Sequence, residues 1–126
     1  MNSWTPITLE ELLDEVRCGK ARLPPELLRL WAAIRVEFRK WRLHPWGDDG
    51  GGFWVVGVIG DYVLWYNDIE DGFNWSRYSL FGEIGEYWCN QDELNHSIYQ
   101  LRQRLDGGRL PPKLGAPEPI PMEPLD

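Results

Sequence analysis

The sequence feature that most constrains the fold is a pair of apolar runs, Phe53 to Ile59 and Tyr62 to Tyr66, separated only by Gly60 and Asp61. Almost every residue in the two runs is β-branched, aromatic or otherwise apolar, which is typical of buried strands. A two-residue link that begins with Gly suits a type II′ turn, whose twist matches that of the flanking strands. The sequence therefore predicts a hairpin at the centre of a sheet.

The predicted turn also indicates which side chains share a face of the hairpin, because Ile59 must then lie opposite Tyr62 and side chains alternate along a strand. Both faces of the hairpin are apolar, so we expect helices to cover one and a partner, a second layer or Trp side chains to cover the other. The alternation places Val55, Gly57, Ile59, Tyr62, Leu64 and Tyr66 on one face and Trp54, Val56, Val58, Val63 and Trp65 on the other.

Two helices are predicted before the hairpin. Thr8 and Glu11 form a capping-box pattern ahead of leucines at helical spacing, and Gly19 is a suitable end for that helix. Pro24 and Pro25 suit the first turn of a second helix. Apolar spacing would allow this helix to continue to Trp41, but the alternation over residues 34–39 favours a helix that ends near Ala33 and an edge strand after it.

Further strands and one more helix are predicted after the hairpin. Residues 73–81 and 84–89 are typical of two strands joined around Gly82 and Glu83. Asn90 with Glu93 forms a second capping-box pattern before an amphipathic helix from about Gln91 to Leu105. We therefore predict one α+β domain over residues 1–108, with an antiparallel sheet of four or five strands, two N-terminal helices and one C-terminal helix.

The last part of the chain, residues 109–126, is rich in proline. Such a composition does not suit a packed core, so we expect a mobile tail whose removal leaves the stability of the domain nearly unchanged. A clear loss of stability on deletion would instead indicate that Leu110, Leu114 or Ile120 packs on the sheet.

The charge distribution indicates the class of partner. The chain has a net charge of −7, and between His44 and Glu93 it has ten acidic residues and one basic residue, Arg77. A field of one sign disfavours nucleic acid and anionic membranes as partners and favours a basic protein, a cationic ligand or a metal ion. The alternative is that the acidic loops only keep a domain with eight Trp residues soluble.

Cysteine content and the N-terminal sequence favour a cytoplasmic protein. Cys18 and Cys89 are too few for a disulfide framework and lack metal-site spacing. The N-terminus lacks the basic and apolar regions of a signal peptide, and no apolar run is long enough to span a bilayer. We expect Cys89 to be buried and His96 to be exposed, which argues against a thiol nucleophile, and no cofactor is predicted.

Acidic loops beside aromatic residues are the candidate site. Metal-assisted hydrolysis by the acidic loop 67–72 is the alternative function, although its spacing does not match a calcium loop and no metal ligands are assigned. A homodimer that covers the second apolar face is a further possibility. We predict a partner-binding surface formed by Trp46, Asp48, Asp49, Asp68, Glu70, Asp71 and Trp75.

Three segments carry a resemblance to known proteins: GGGFWVV at 50–56, WYNDIEDGFN at 65–74 and EYWCNQDEL at 86–94. They resemble segments that recur in a family of small, uncharacterised bacterial proteins. In size, acidity and lack of a signal sequence the chain also resembles the immunity proteins that are paired with secreted bacterial toxins. This second resemblance implies a cytosolic protein that blocks a toxin, and it implies no catalytic residues.

Overall fold

The computed structural model describes residues 4–107, which form an α+β fold with three helices and a four-stranded antiparallel sheet, as predicted. The tail predicted at residues 109–126 lies outside the described residues. The helices are α1 (Leu9–Lys20), α2 (Pro25–Ile34) and α3 (Leu94–Gly107), and a short 3-10 turn spans Asp48–Gly50. The strands are β1 (Arg35–Trp41), β2 (Phe53–Ile59), β3 (Tyr62–Asn67) and β4 (Gly72–Arg77), in the spatial order β1-β2-β3-β4.

Both N-terminal helices follow the sequence prediction. The Glu11 backbone N–H donates to Thr8 Oγ1 over 3.1 Å, and the Thr8 backbone N–H donates to Glu11 Oε1 over 2.9 Å. These two bonds are the predicted capping box, which satisfies two donors that the first turn of α1 leaves without intrahelical partners. The second helix ends at Ile34 and the edge strand β1 follows at once, so the prediction of a helix followed by a strand is confirmed.

The second capping box is wrong, and α3 begins at Leu94, later than predicted. The Asn90 backbone N–H donates to Asn74 Oδ1 over 2.9 Å, so this segment is bound to β4 and cannot start the helix. Directly before α3, the Glu93 backbone N–H donates to His96 Nδ1 over 3.3 Å. A side-chain acceptor one turn into the helix therefore takes the place of the predicted cap.

The predicted hairpin is present, with Ile59 paired to Tyr62, but the predicted faces are wrong for the first half of β2. The register shifts between the pairs Val55–Trp65 and Gly57–Leu64, which leaves Val56 as an extra residue in β2. A bulge of this kind inverts the alternation beyond it. As a result Val56 and Trp54 contact the helical side, whereas Val55 packs on the opposite face with Val63 and Trp65.

Of the two strands predicted over 73–81 and 84–89, the first is present as β4 but ends earlier, at Arg77, and the second is wrong, because residues 84–89 form no strand. Side chains provide much of the bonding between β4 and the segment after it. Ser76 Oγ donates to the Glu86 carbonyl over 2.8 Å, and Asn74 Nδ2 donates to the Asn90 carbonyl over 3.0 Å. These contacts cover the β4 edge without a regular ladder, which also protects it from pairing with other chains.

Two apolar clusters form the core, one on each face of the sheet. The first contains residues of all three helices together with one side of β3 and β4, including Leu12, Trp31 and Trp75. The second contains Trp41, Phe53 and the other side of β2 and β3, and residues of loops and of the N-terminal segment cover it. Both faces are therefore covered within the chain.

Candidate functional site

The two acidic loops lie at the same end of the sheet. Trp41 at the end of β1 pairs with Phe53 at the start of β2, and Asn67 at the end of β3 pairs with Gly72 at the start of β4. Because β2 and β3 run in opposite directions, the β1–β2 and β3–β4 connections share one end, and the Gly60 turn lies at the other. The fold thus brings together two acidic segments that are far apart in the sequence, Asp48–Asp49 and Asp68–Asp71.

The N-terminal segment runs between these two loops. The Ile7 backbone N–H donates to Asp68 Oδ2 over 2.7 Å, while the Ile7 carbonyl accepts a bond from Trp54 Nε1 over 3.4 Å. Earlier in the segment, the Trp4 ring packs against Phe53 with 6.0 Å between ring centroids. Lys40 Nζ donates to the Gly50 carbonyl over 2.6 Å and so fixes the first loop against β1.

An acidic cleft of about 650 Å³ opens between this segment, α1 and the β3–β4 loop. Five carboxylates line it, and the lining includes no Lys, Arg or His residue among the described part of the chain. They are Glu11, Glu15, Asp68, Asp71 and Glu93, with Thr5, Pro6, Ile7, Tyr66 and Gln91 completing the wall. A concave surface that carries charge of one sign focuses the field and attracts groups of the opposite sign.

The five carboxylates of the acidic cleft differ in the hydrogen bonds and ion pairs that they already form within the chain. Glu11 accepts from Thr8, and the same hydrogen bonds lower its pKa. Glu93 forms an ion pair with Arg22, with 3.0 Å between Glu93 Oε1 and Arg22 Nη1. Glu11, Glu15, Asp68 and Asp71 have no ion-pair partner within residues 4–107. Because Glu11 and Asp68 accept hydrogen bonds from Thr8 and Ile7, Glu15 and Asp71 are the carboxylates most available to bind a cation.

Asp68 is the most buried of these five carboxylates, since the other four residues are exposed. Burial raises the pKa of Asp68, and the Ile7 N–H and the charge of Lys40 oppose that rise. Its Oδ1 atom is buried and has no hydrogen-bond partner within the described chain, whereas Oδ2 accepts from Ile7. Burial also raises the pKa of the neighbouring Tyr66, and the charges of Glu15, Asp71 and Asp68 add to this effect, so Tyr66 stays protonated at neutral pH.

The two aromatic residues that were predicted to bind a partner, Trp46 and Trp75, have different environments. Trp46 is 46% exposed and stacks on Tyr87, with 4.3 Å between ring centroids and 11° between ring planes. The expectation that Trp75 is exposed is wrong, because it lies on the face of β4 beneath α3. Trp75 is 1% exposed, and its Nε1 donates to the Ser97 carbonyl over 3.0 Å.

The other predicted site residues lie at the same end of the sheet without lining the acidic cleft. Asp48 Oδ2 lies 2.5 Å from His44 Nδ1, and Asp49 is exposed on the same turn. Glu70 does not line the cleft either, and its carbonyl accepts from Gln91 Nε2 over 2.9 Å. Of the predicted acidic residues, only Asp68 and Asp71 belong to the acidic cleft.

Sequence reasoning missed Glu11, Glu15, Tyr66 and Glu93 as members of the cleft. Glu11 and Glu15 are four residues apart, so they share one side of α1. This spacing was the sequence signal that could have marked them as a pair of acidic residues on one surface. No sequence pattern places that side of the helix beside the β3–β4 loop, because only the packing of α1 on the sheet does so.

The described residues of the acidic loop 67–72 do not support the alternative function, which is metal-assisted hydrolysis. Within residues 4–107 no group of three or more His, Cys, Asp or Glu side chains could hold a metal ion, so the three carboxylates of loop 67–72 form no ligand set there. Cys89 is exposed, contrary to expectation, whereas His96 is exposed as expected and accepts from the Glu93 backbone. No helix among the described residues has the length and apolarity to cross a membrane.

Comparisons of this chain with protein-family models, with curated proteins and with solved structures found no match.

Proposed function

We propose that this protein binds a basic segment of a partner protein in the acidic cleft. The observation that carries the proposal is the lining of the cleft, in which five carboxylates face a space of about 650 Å³ and only Glu93 is paired with a basic side chain of the described residues, Arg22. Lys or Arg side chains of a partner are the groups that complement this lining, because a carboxylate without an ion-pair partner gains a charge-assisted hydrogen bond when it binds one of them.

Glu15 and Asp71 are the residues that we expect to contact the partner's cations directly. Neither has an ion-pair partner within residues 4–107, and both line the cleft, one on α1 and one on the β3–β4 loop. Asp68 supports the wall through its bond to Ile7, and Asp48 and Asp49 add negative charge at the same end of the sheet. Charges around the contact raise the association rate in a way that salt weakens.

The resemblance to immunity proteins gives the proposal its finer form, which is a bacterial, cytoplasmic immunity protein that neutralises a basic toxin. An inhibitor of this kind needs a binding surface and no catalytic centre. Hydrolysis by loop 67–72 is not retained as a second candidate, because no ligand set within the described chain favours it.

Affinity capture from a lysate of the source cells at low salt tests the proposal. We expect the wild-type protein to retain a basic protein, and the double variant Glu15→Gln/Asp71→Asn to retain at least about tenfold less, because each lost contact at an interface weakens binding. The matched control is Glu10→Gln/Asp61→Asn, which removes the same charge from exposed positions outside the cleft and is expected to capture the partner normally.

Equal loss in both double variants would show that overall charge, and not the acidic cleft, attracts the partner. Capture of no basic protein by the wild type would reject the proposal. The immunity role is tested separately, by expressing the captured partner alone and together with this protein. We expect the partner to stop growth alone, and co-expression of the wild type but not of Glu15→Gln/Asp71→Asn to restore it.

A further inference from the structure

A small basic groove lies on the other flank of α1, between that helix, α2 and the start of β1. Its floor is apolar and consists of Leu13, Val16, Trp31 and Phe38, and its volume is about 160 Å³. Three cations, Arg17, Lys20 and Arg35, line the rim, and no carboxylate from the described residues is among the lining. This concentration of positive charge contrasts with the net charge of −7 of the whole chain.

Two of the three cations in the basic groove have no carboxylate partner among the described residues. Arg17 is paired with Asp14 on the same helix, but neither Lys20 nor Arg35 forms an ion pair with any residue between 4 and 107. The guanidinium of Arg35 lies over two aromatic rings of the floor, 6.0 Å from the centroid of Trp31 and 5.4 Å from that of Phe38. These contacts hold the cation in place, so little side-chain freedom remains to be lost on binding.

The apolar floor continues onto the surface of α1. Leu9 is 43% exposed and Leu13 is 40% exposed, and because they are four residues apart they lie on the same side of the helix, toward the groove. The accessible surface therefore combines apolar side chains with cations that have no ion pair within residues 4–107, a combination that suits a ligand with apolar and acidic groups close together.

We infer that the basic groove binds an acidic segment of a partner protein in which Asp or Glu residues alternate with large apolar residues. The charge of the rim selects the carboxylates, and the exposed side chains of Leu9 and Leu13 contact the apolar residues of the segment. This surface is distinct from the acidic cleft, since Glu11 and Glu15 lie on a different side of α1 from Leu13 and Arg17. The inference therefore does not depend on the proposed function.

Fluorescence polarisation with a short labelled peptide of Glu, Leu and Ala tests this inference on the full chain. We expect the peptide to bind at low salt and to bind roughly tenfold more weakly to Lys20→Gln/Arg35→Gln, because two charge contacts are lost together. The control Arg29→Gln/Arg39→Gln removes the same charge at exposed positions outside the groove and should change the affinity less than about twofold.

Changes in the peptide provide a test that does not depend on the stability of any variant. Replacing every Glu by Gln, or every Leu by Ser, should each weaken binding severalfold, because the first removes the charges and the second the apolar contacts. Equal binding of the Gln peptide, or equal weakening by both double variants, would overturn the inference.

A second copy of this chain is the competing occupant of the basic groove, since its acidic cleft carries the complementary charge. Analytical ultracentrifugation at the concentrations of the binding assay distinguishes the two. We expect a monomer for the wild type, and a dimer that Lys20→Gln/Arg35→Gln abolishes would overturn the assignment of the groove to a foreign partner.

Discussion

The two faces of the sheet are covered by different kinds of structure. Helices cover one face, and their apolar side chains meet those of β3 and β4 in the first cluster. The other face is covered by irregular segments, in which Trp4, Tyr78 and Tyr87 pack against buried Trp65 and its neighbours. The helices contribute mainly aliphatic side chains to their cluster, whereas the irregular segments contribute both aliphatic and aromatic ones.

Both sides of the molecule leave large apolar side chains exposed. On the irregular face Phe81 is 72% exposed, although its ring packs against Trp41 with 4.6 Å between centroids. Trp46 stacks on Tyr87 beside a second cleft of about 550 Å³ on that side. On the helical side the exposed large apolar residues include Leu9 and Leu13 on α1 and Tyr99 and Leu105 on α3, and both proposed binding surfaces lie along α1.

The largest expected effect tests whether the irregular face is as well packed as the helical one. Trp75 on the helical face and Trp65 on the irregular face are both less than 2% exposed, and each indole N–H is bonded, to the Ser97 carbonyl and to Ser76 Oγ. We expect Trp75→Ala and Trp65→Ala each to lower the free energy of unfolding by about 3–5 kcal/mol. Urea denaturation measures both changes.

A much smaller loss of unfolding free energy for Trp65→Ala than for Trp75→Ala would show that the loops pack less tightly on their face of the sheet than the helices do on theirs. Trp46→Ala is the matched control on the irregular face. Because Trp46 is half exposed and contributes mainly its stacking on Tyr87, we expect a loss of about 1 kcal/mol.

A second prediction concerns the backbone that supports the irregular face, at the start of β2. Gly52 has a φ of +106°, and a Cβ atom there would lie 2.3 Å from the Trp41 carbonyl oxygen. We expect Gly52→Ala to lower the free energy of unfolding by about 3 kcal/mol, since both the conformation and the contact are unfavourable. Thermal and urea denaturation are the measurements.

Gly51 provides the control, because it has a φ of +76° but a Cβ atom added there would meet no other atom within 4 Å among the described residues. Only the conformational cost applies there, so Gly51→Ala should lose about 1–2 kcal/mol. Equal losses at the two positions would indicate that the close approach to Trp41 is relieved by a small backbone shift.

The smallest expected effect concerns Asp68, where the acidic cleft meets the N-terminal segment. Burial raises the Asp68 pKa above its ordinary value of 3.8, so the native state binds a proton more readily than the unfolded state. The contribution of this group to stability is therefore fully present below pH 3.8 and is lost as the pH rises through the native pKa. Asn at this position does not titrate and can still accept the Ile7 N–H.

We therefore expect the stability of Asp68→Asn relative to wild type to increase as the pH rises from the acid side of that transition to neutrality. Urea denaturation of both proteins at a series of pH values measures this difference. A difference that is independent of pH, or one that falls as the pH rises, would contradict the assigned environment of Asp68.

Local sequence patterns determined much of this fold. The capping box at Thr8, the change from helix to strand after Ile34 and the turn at Gly60 each depend on residues that are close together in the chain, so the sequence was sufficient to predict them. The sequence likewise indicated the acidic loop that contains Asp68 and Asp71, but the same reasoning included Asp48, Asp49 and Glu70, which do not line the acidic cleft.

The tertiary structure alone decided the rest, since each missed feature depends on contacts between distant segments. The bulge at Val56 changes which side chains face the helices, and the segment after β4 resembles a strand in composition but exchanges its hydrogen bonds with Ser76, Asn74 and Arg42. Glu15 and Asp71 line the same cleft only because α1 packs beside the β3–β4 loop. Sequence spacing fixes which residues share one side of a helix or strand, but the neighbour that each side meets is set by the packing of the whole core.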